Sequence, residues 1–262
     1  ERLGEALGEA QRVKAPQALA GFHAQLCEAA GHAGEAGRLF CETGPPEGAA
    51  ALVLRSLSEA CRAQEALYPL RVVLPPVARF FAEAPLAERA SALDPEAPAG
   101  IAVGIQVARG PEGGRGGFHL YVPERYRGDR PWPLVVALHG AMGSGADFLW
   151  TWLREARSRR FLLLAPTSRD TTWSMQGPDR DLPALLGMVR FVGERWNVDA
   201  GRMLLTGLSD GGTYALLAGL SEASPFTALA CVSGVLHPSN LSRGNLGRAR
   251  GRRGSVAHGA LA

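Results

Sequence analysis

From residue 101 onward the chain alternates short apolar runs with longer segments of helical period. IAVGIQVA (101–108) is short and β-branched, and GFHLYVP (117–123) alternates between apolar and polar. The glycine-rich GPEGGRGG (110–117) between them reads as a hairpin loop. PLVVALHG (133–140) is a continuous apolar run ending in glycine, the pattern of a strand buried on both faces. The spacing then predicts a helix over 148–158, a strand over 161–166 and a helix over 182–196. A strand over 202–207, a helix over 209–220 and a strand within 226–236 follow. Strands alternating with helices at this pitch imply a largely parallel sheet with helices on both faces.

Residues 1–98 have a different texture, rich in Ala, Leu, Glu and Arg. ALVLRSLSEACRAQEAL (51–67) places Leu52, Leu54, Leu57, Cys61 and Leu67 near helical spacing. TGPPEG (43–48) and LPPVA (74–78) punctuate the region, and LDPEAPAG (93–100) reads as a linker. The expected organisation is therefore a helical N-terminal region, 1–98, packed as a small bundle or cap, and an α/β domain, 99–262.

Composition narrows the function. The chain of 262 residues suits one large domain, or a medium one with a smaller companion. Its 46% hydrophobic and 20% charged residues are ordinary for a soluble globular protein. A net charge of +3 is too small to point to nucleic acid. The exception is Arg243 to Arg253, which holds Arg243, Arg248, Arg250, Arg252 and Arg253 with almost no acid nearby. That run suits a solvated loop, a contact with an anionic surface or lipid headgroup, or a disturbed reading frame. No run of about eighteen apolar residues suggests a membrane span. No signal peptide is visible, which points to the cytoplasm, although a chain beginning at Glu1 leaves its true N-terminus open. Cys27, Cys41, Cys61 and Cys231 lack CxxC spacing and read as reduced, mostly buried thiols, with a disulfide among the first three left open. No HExxH appears, so neither metal nor organic cofactor is expected.

The chemistry concentrates at LLTGLSDGGTYALLAGL (204–220). GLSDG fits G-x-S-x-G, placed where a strand must turn at once into a helix. Glycine flanks are needed because side chains there would strike neighbouring backbone. The turn lifts the Ser209 hydroxyl clear of the sheet and leaves the Asp210 amide at a helix N-terminus, suited to an oxyanion. The Asp210 carboxylate suits the first helical turn. The same residues also suit a serine N-cap with glycines for close packing. A second oxyanion donor is expected from the loop LHGAMGSG (138–145), with the Ala141 amide as candidate; an ordinary strand-to-helix turn is the alternative. His139, Gly140, Trp173 and His237 are candidates to line the pocket, as are Trp150, Trp152 and Met175. Core packing is the alternative for the aromatics, a structural HG turn for His139, and a polar loop position before Pro238 for His237. His119 is expected in cross-strand packing.

VVALHGAMGSGADF, LLAPTSRDTTWS, WNVDAGRMLLTGLSDGGTYALLAGL and SGVLHP together resemble serine esterases of the α/β-hydrolase superfamily. The likeness is to bacterial phospholipase/carboxylesterase proteins and esterases of the polyhydroxybutyrate-depolymerase type, and it spans about residues 101 to 261. It implies a three-layer α/β-hydrolase core preceded by a helical region, with Ser209 as nucleophile and the Ala141 and Asp210 amides as oxyanion hole. The implied substrate is a small-molecule or lipid carboxylic ester, cleaved through an acyl-serine intermediate. The resemblance also implies an acid and then a histidine after the serine. His258-Gly259-Ala260-Leu261 matches the start of the HGxxD context, but Ala262 stands where the Asp belongs. Glu222, the only later acid, lies roughly 18 Å along the helix from Ser209. RRGSVA (252–257) is far less apolar than a central strand. The core therefore reads as truncated: a fragment, or a gene model damaged near its 3′ end. The rival expectations are a non-catalytic binding protein of the same fold and a helical module fused to a decaying hydrolase.

Overall fold

A computed structural model describes residues 2–42, 46–95, 100–112 and 114–258. The expected turn at 43–48 and linker at 93–100 fall partly outside the described residues. Residues 259–262, on which the HGxxD comparison depends, lie outside them entirely. The chain divides into two compact units, Glu1–Asp94 and Pro95–Ala262.

The first unit is helical. Its longest elements are α2 (Ala20–Cys41) and α3 (Pro46–Leu67), preceded by α1 (Arg2–Arg12) and followed by α4 (Pro75–Phe80). Short 3-10 turns lie between and after them. His32 Nδ1 meets Glu59 Oε2 at 2.6 Å, and the buried Ser56 hydroxyl donates to the Ala36 carbonyl at 2.8 Å. The partner numbers fall on one side as they rise on the other, so α2 and α3 run antiparallel. The buried apolar side chains of these two helices are mostly small: Ala29, Ala36, Cys61 and Ala66, with Leu39. Phe81 packs edge-on to Tyr68 with ring centroids 4.9 Å apart. Cys61 and Cys231 are buried, but Cys41 is exposed, against the expectation of mostly buried cysteines.

The second unit is a seven-stranded sheet in the order β1-β2-β4-β3-β5-β6-β7. The strands are β1 (Gly104–Arg109), β2 (Gly117–Val122), β3 (Trp132–Leu138), β4 (Leu162–Pro166), β5 (Val198–Leu208), β6 (Ala228–Val232) and β7 (Arg253–Ala257). β1 and β2 form the expected hairpin, and β2 pairs antiparallel with β4. Every pairing from β4 across to β7 is parallel. Leu134, Val136 and Leu138 of β3 point into one core with Leu162, Leu164, Met203 and Leu205. Helices α6 (Asp181–Arg195) and α7 (Asp210–Gly219) close that core through Leu185, Val192, Tyr214 and Leu217. The alternate residues, Val135, Ala137, Leu163 and Ala165, are buried on the other face, where Leu149, Leu153 and Ala156 of α5 (Gly145–Arg159) are also buried. Strands buried on both faces are why these runs are continuously apolar.

Three departures from the sequence reading have a local reason. α5 starts at Gly145 rather than 148, because Ser144 caps it: its hydroxyl accepts the Asp147 N–H at 3.2 Å. β5 begins at Val198, with an irregular stretch in which the Asp199 carboxylate accepts from Gly201 N–H and Arg202. β7, judged too polar for a central strand, pairs with β6 alone among the described strands, and all its residues are exposed. Its polar composition is that of a sheet edge.

Candidate active site

Ser209 stands between the end of β5 and the start of α7 with φ 55° and ψ −119°. That backbone conformation costs an L-residue about 1–3 kcal/mol and persists only where surrounding structure imposes it. Here the Ser209 N–H donates to the Val232 carbonyl of β6 at 2.8 Å. The flanking glycines show the crowding directly. A Cβ on Gly207 would lie 2.3 Å from the Gly211 carbonyl oxygen, and one on Gly211 would lie 2.3 Å from that of Leu138. Ser209 itself is exposed. The first bond of the helix runs from Thr213 N–H to Ser209 O at 2.9 Å, so the Asp210 N–H has no acceptor within the helix.

The loop after β3 comes up beside this corner. A Cβ on Gly140 would lie 3.7 Å from the Ser209 Cβ. Two of the following amides are taken: Met142 N–H by the Thr171 carbonyl at 2.7 Å, and Gly143 N–H by that of Gly140 at 3.1 Å. Just ahead of them, Ala141 is exposed, and among the described residues its N–H meets no protein acceptor. Arg115, from the β1–β2 loop, donates to the Gly143 carbonyl of this segment at 2.5 Å and to the Asp170 carbonyl of the β4–α6 loop at 2.8 Å.

His139 and Trp173, candidates to line the pocket with a structural turn and core packing as their alternatives, are both buried. His139 is 1% exposed, its Nδ1 is 2.6 Å from the Gly140 carbonyl, and Ser168 N–H donates to its Nε2 at 3.0 Å. One donor and one acceptor define the neutral tautomer with its proton on Nδ1. Burial, reinforced by the Arg115 charge, pushes its pKa down to about 4. Trp173 is buried, donates from Nε1 to the His139 carbonyl at 2.8 Å, and stacks on Tyr214 at 5.4 Å. Both aromatics resolve toward packing because their polar edges are already satisfied. Trp150 is likewise buried, on α5. His119 sits on β2 opposite Val107 and Ala165, a cross-strand position, with its Nδ1 buried and unpartnered among the described residues.

His237 lies on the loop after β6, half-buried, and its Nδ1 accepts the Ser239 N–H at 3.2 Å. A neutral imidazole accepting at Nδ1 carries its proton on Nε2 and offers a donor there, not a base.

Sequence reasoning missed the loop between β4 and α6, which ties the site together. Thr172 Oγ1 donates to the Asp210 carboxylate at 2.7 Å. Asp181, 3% exposed, accepts from Arg169 N–H, Ser174 N–H and Ser174 Oγ at 2.9, 2.8 and 2.8 Å. Asp179 accepts from Asp181 N–H, Leu182 N–H and the Tyr214 hydroxyl. PDRDLP (178–183) carried a readable signal for part of this, an Asp just ahead of a helix. Two grooves of about 530 and 560 Å³ lie elsewhere on the unit, lined by Phe118 and Trp196 in one and by Phe161 and Arg202 in the other. Neither includes Ser209. Among the described residues, no cluster of three His, Cys, Asp or Glu suits a metal, and no helix is long and apolar enough to cross a membrane.

No protein-family model and no curated protein sequence matches the chain. Among solved structures it is similar to a thermostable esterase, at 21% identity and TM-score 0.44 over 59% of this chain and 53% of that one. It is also similar to an acetyl xylan esterase from Aspergillus awamori, at 20% and 0.45 over 51% and 53%. A third is an S-formylglutathione hydrolase from Staphylococcus aureus, at 17% and 0.43 over 53% and 60%. The chain spans between half and three-fifths of the length of these structures. The mixed sheet with a parallel centre and helices on both faces makes a three-layer α/β fold, with the strained serine at a strand-to-helix corner.

Proposed function

We propose that the second unit is built for hydrolysis of carboxylic esters through an acyl-Ser209 intermediate. The observation that carries this is the Ser209 backbone, held at φ 55° among close main-chain neighbours while the residue stays exposed. Strain of this kind is kept where it serves a site. In this reading Ser209 Oγ attacks the ester carbonyl, and the Ala141 and Asp210 amides hold the oxyanion that forms. Collapse expels the alcohol and leaves an acyl-serine, which water hydrolyses. Preorganised amides of this type contribute about 3 kcal/mol each to the transition state.

The serine proton must leave to a base. His139 does not supply it, being locked behind the loop, and His237 presents a donor at Nε2. We assign the base and the acid to none of the described residues. The test is labelling by a fluorophosphonate probe. Covalent labelling of the wild-type chain that disappears in Ser209→Ala supports an activated nucleophile. A folded chain that stays unlabelled refutes it, and favours a protein that binds ligands at this corner without cleaving them.

A further inference from the structure

The surface around Ser209 is unusually apolar for exposed loops. Met142, Leu208, Val235, Leu236 and Leu241 are 69, 40, 64, 45 and 61% exposed. They come from three segments: the loop after β3, the end of β5, and the stretch after β6, where Val235 and Leu236 are on a loop and Leu241 on a short helix, Ser239–Ser242. Those strands are parallel neighbours, so their C-terminal ends share one edge of the sheet. The loops are also tied to the corner itself. Gly140, two residues before Met142, abuts Ser209. Val235 N–H donates to Thr213 Oγ1 in the first turn of α7, at 3.0 Å. The other three exposed large apolar side chains described in this unit sit singly on β1, on the turn 245–249 and on the edge strand β7. Single exposed apolar residues need no explanation, whereas a cluster at one place marks a binding surface.

We infer that this rim binds the hydrocarbon part of the substrate, so that the ester favoured by the site carries an apolar acyl chain of several carbons. The inference rests on the reading of Ser209 as acyl acceptor, because that places the acyl group beside the rim. Acetyl and other very short acyl groups leave the rim wet. Each methylene that reaches it is removed from water.

Methyl NMR of Met142 tests this without requiring turnover. The chain has four methionines, and Met142 is the exposed one. With 13C-methyl methionine, the Met142 signal is titrated with 2-alkanones of four to ten carbons, which present an acyl-like carbonyl and cannot be hydrolysed. Affinity is expected to rise about two- to fourfold per methylene. The rise should be kept in Ser209→Ala and flattened in Val235→Ser/Leu236→Ser, and separately in Leu241→Ser. These positions are exposed, so the substitutions spare the core. An unmoved Met142 signal with 2-decanone overturns the proposal, as does an undiminished slope in both rim variants. A Met142 shift that follows protein concentration without ligand also overturns it, assigning the rim to a second copy of the chain. Retained alkanone binding without fluorophosphonate labelling would sink the catalytic reading and leave the rim. Labelling with flat chain-length dependence would do the reverse.

Discussion

Gly211→Ala probes the corner most directly. The added methyl carbon would lie 2.3 Å from the Leu138 carbonyl oxygen and 2.4 Å from that of His139. Real contacts of this kind stop near 3.0 Å, so something must move by several tenths of an ångström. Neither neighbour is a flexible side chain tip. Leu138 ends β3, whose register with β5 runs from Leu134 to this residue, and the His139 carbonyl already accepts from Trp173. Overpacking in a well-packed interior costs about 1–3 kcal/mol, and a clash with fixed main chain belongs at the upper end. A loss of about 3 kcal/mol is expected, which is a large share of a typical domain's stability. The five tryptophans all lie between Trp132 and Trp196, so intrinsic fluorescence in a urea titration reports this unit and not the helical one. With a slope of about 2 kcal/mol per molar urea, the midpoint should fall by about 1.5 M. Gly187→Ala is the control. It sits within α6, where a Cβ meets nothing within 4 Å, and should raise stability by about 0.5–1 kcal/mol through helix propensity. A Gly211→Ala midpoint close to wild type would refute the claim that close approach, rather than turn conformation alone, selects glycine here.

Two further predictions concern the wall behind the serine. The native pKa of His139 is about 4, below its ordinary 6.5, so between those values the unfolded chain binds a proton that the native chain refuses. Stability should therefore fall as pH drops from about 6.5 to about 4, by roughly 3 kcal/mol in all; His139→Asn should lose that pH slope, and an unchanged slope in the variant would assign the acid sensitivity elsewhere. Asp181→Asn replaces one oxygen that accepts backbone or hydroxyl protons with an amide that also donates. With the residue 3% exposed, a cost of about 2–3 kcal/mol in urea unfolding is expected, and a cost under about 0.5 kcal/mol would show that the β4–α6 loop does not depend on it.

What could be read from the sequence and what could not divide along a physical line. The elbow was legible because its constraint is local: Gly207 and Gly211 face each other across four residues, and the close approach is written into the pentapeptide. The buried strands were legible because burial on both faces leaves a continuous apolar run. The hydrogen-bond partners of His139 and Trp173 were not, because they are remote in sequence. Ser168 is 29 residues from His139, and Trp173 reaches back 34 residues to the His139 carbonyl. Nor was the Thr172–Asp210 bond, which spans 38 residues. These long-range bonds converge on one place. The strained backbone of Ser209 is kept by Val232 on one side and by the loop after β3 on the other. That loop is in turn pinned by His139, Arg115 and Thr171, and the β4–α6 loop behind it by Asp179 and Asp181. A strained residue left without such bracing would relax. The bracing explains how the exposed corner of the sheet keeps a high-energy conformation.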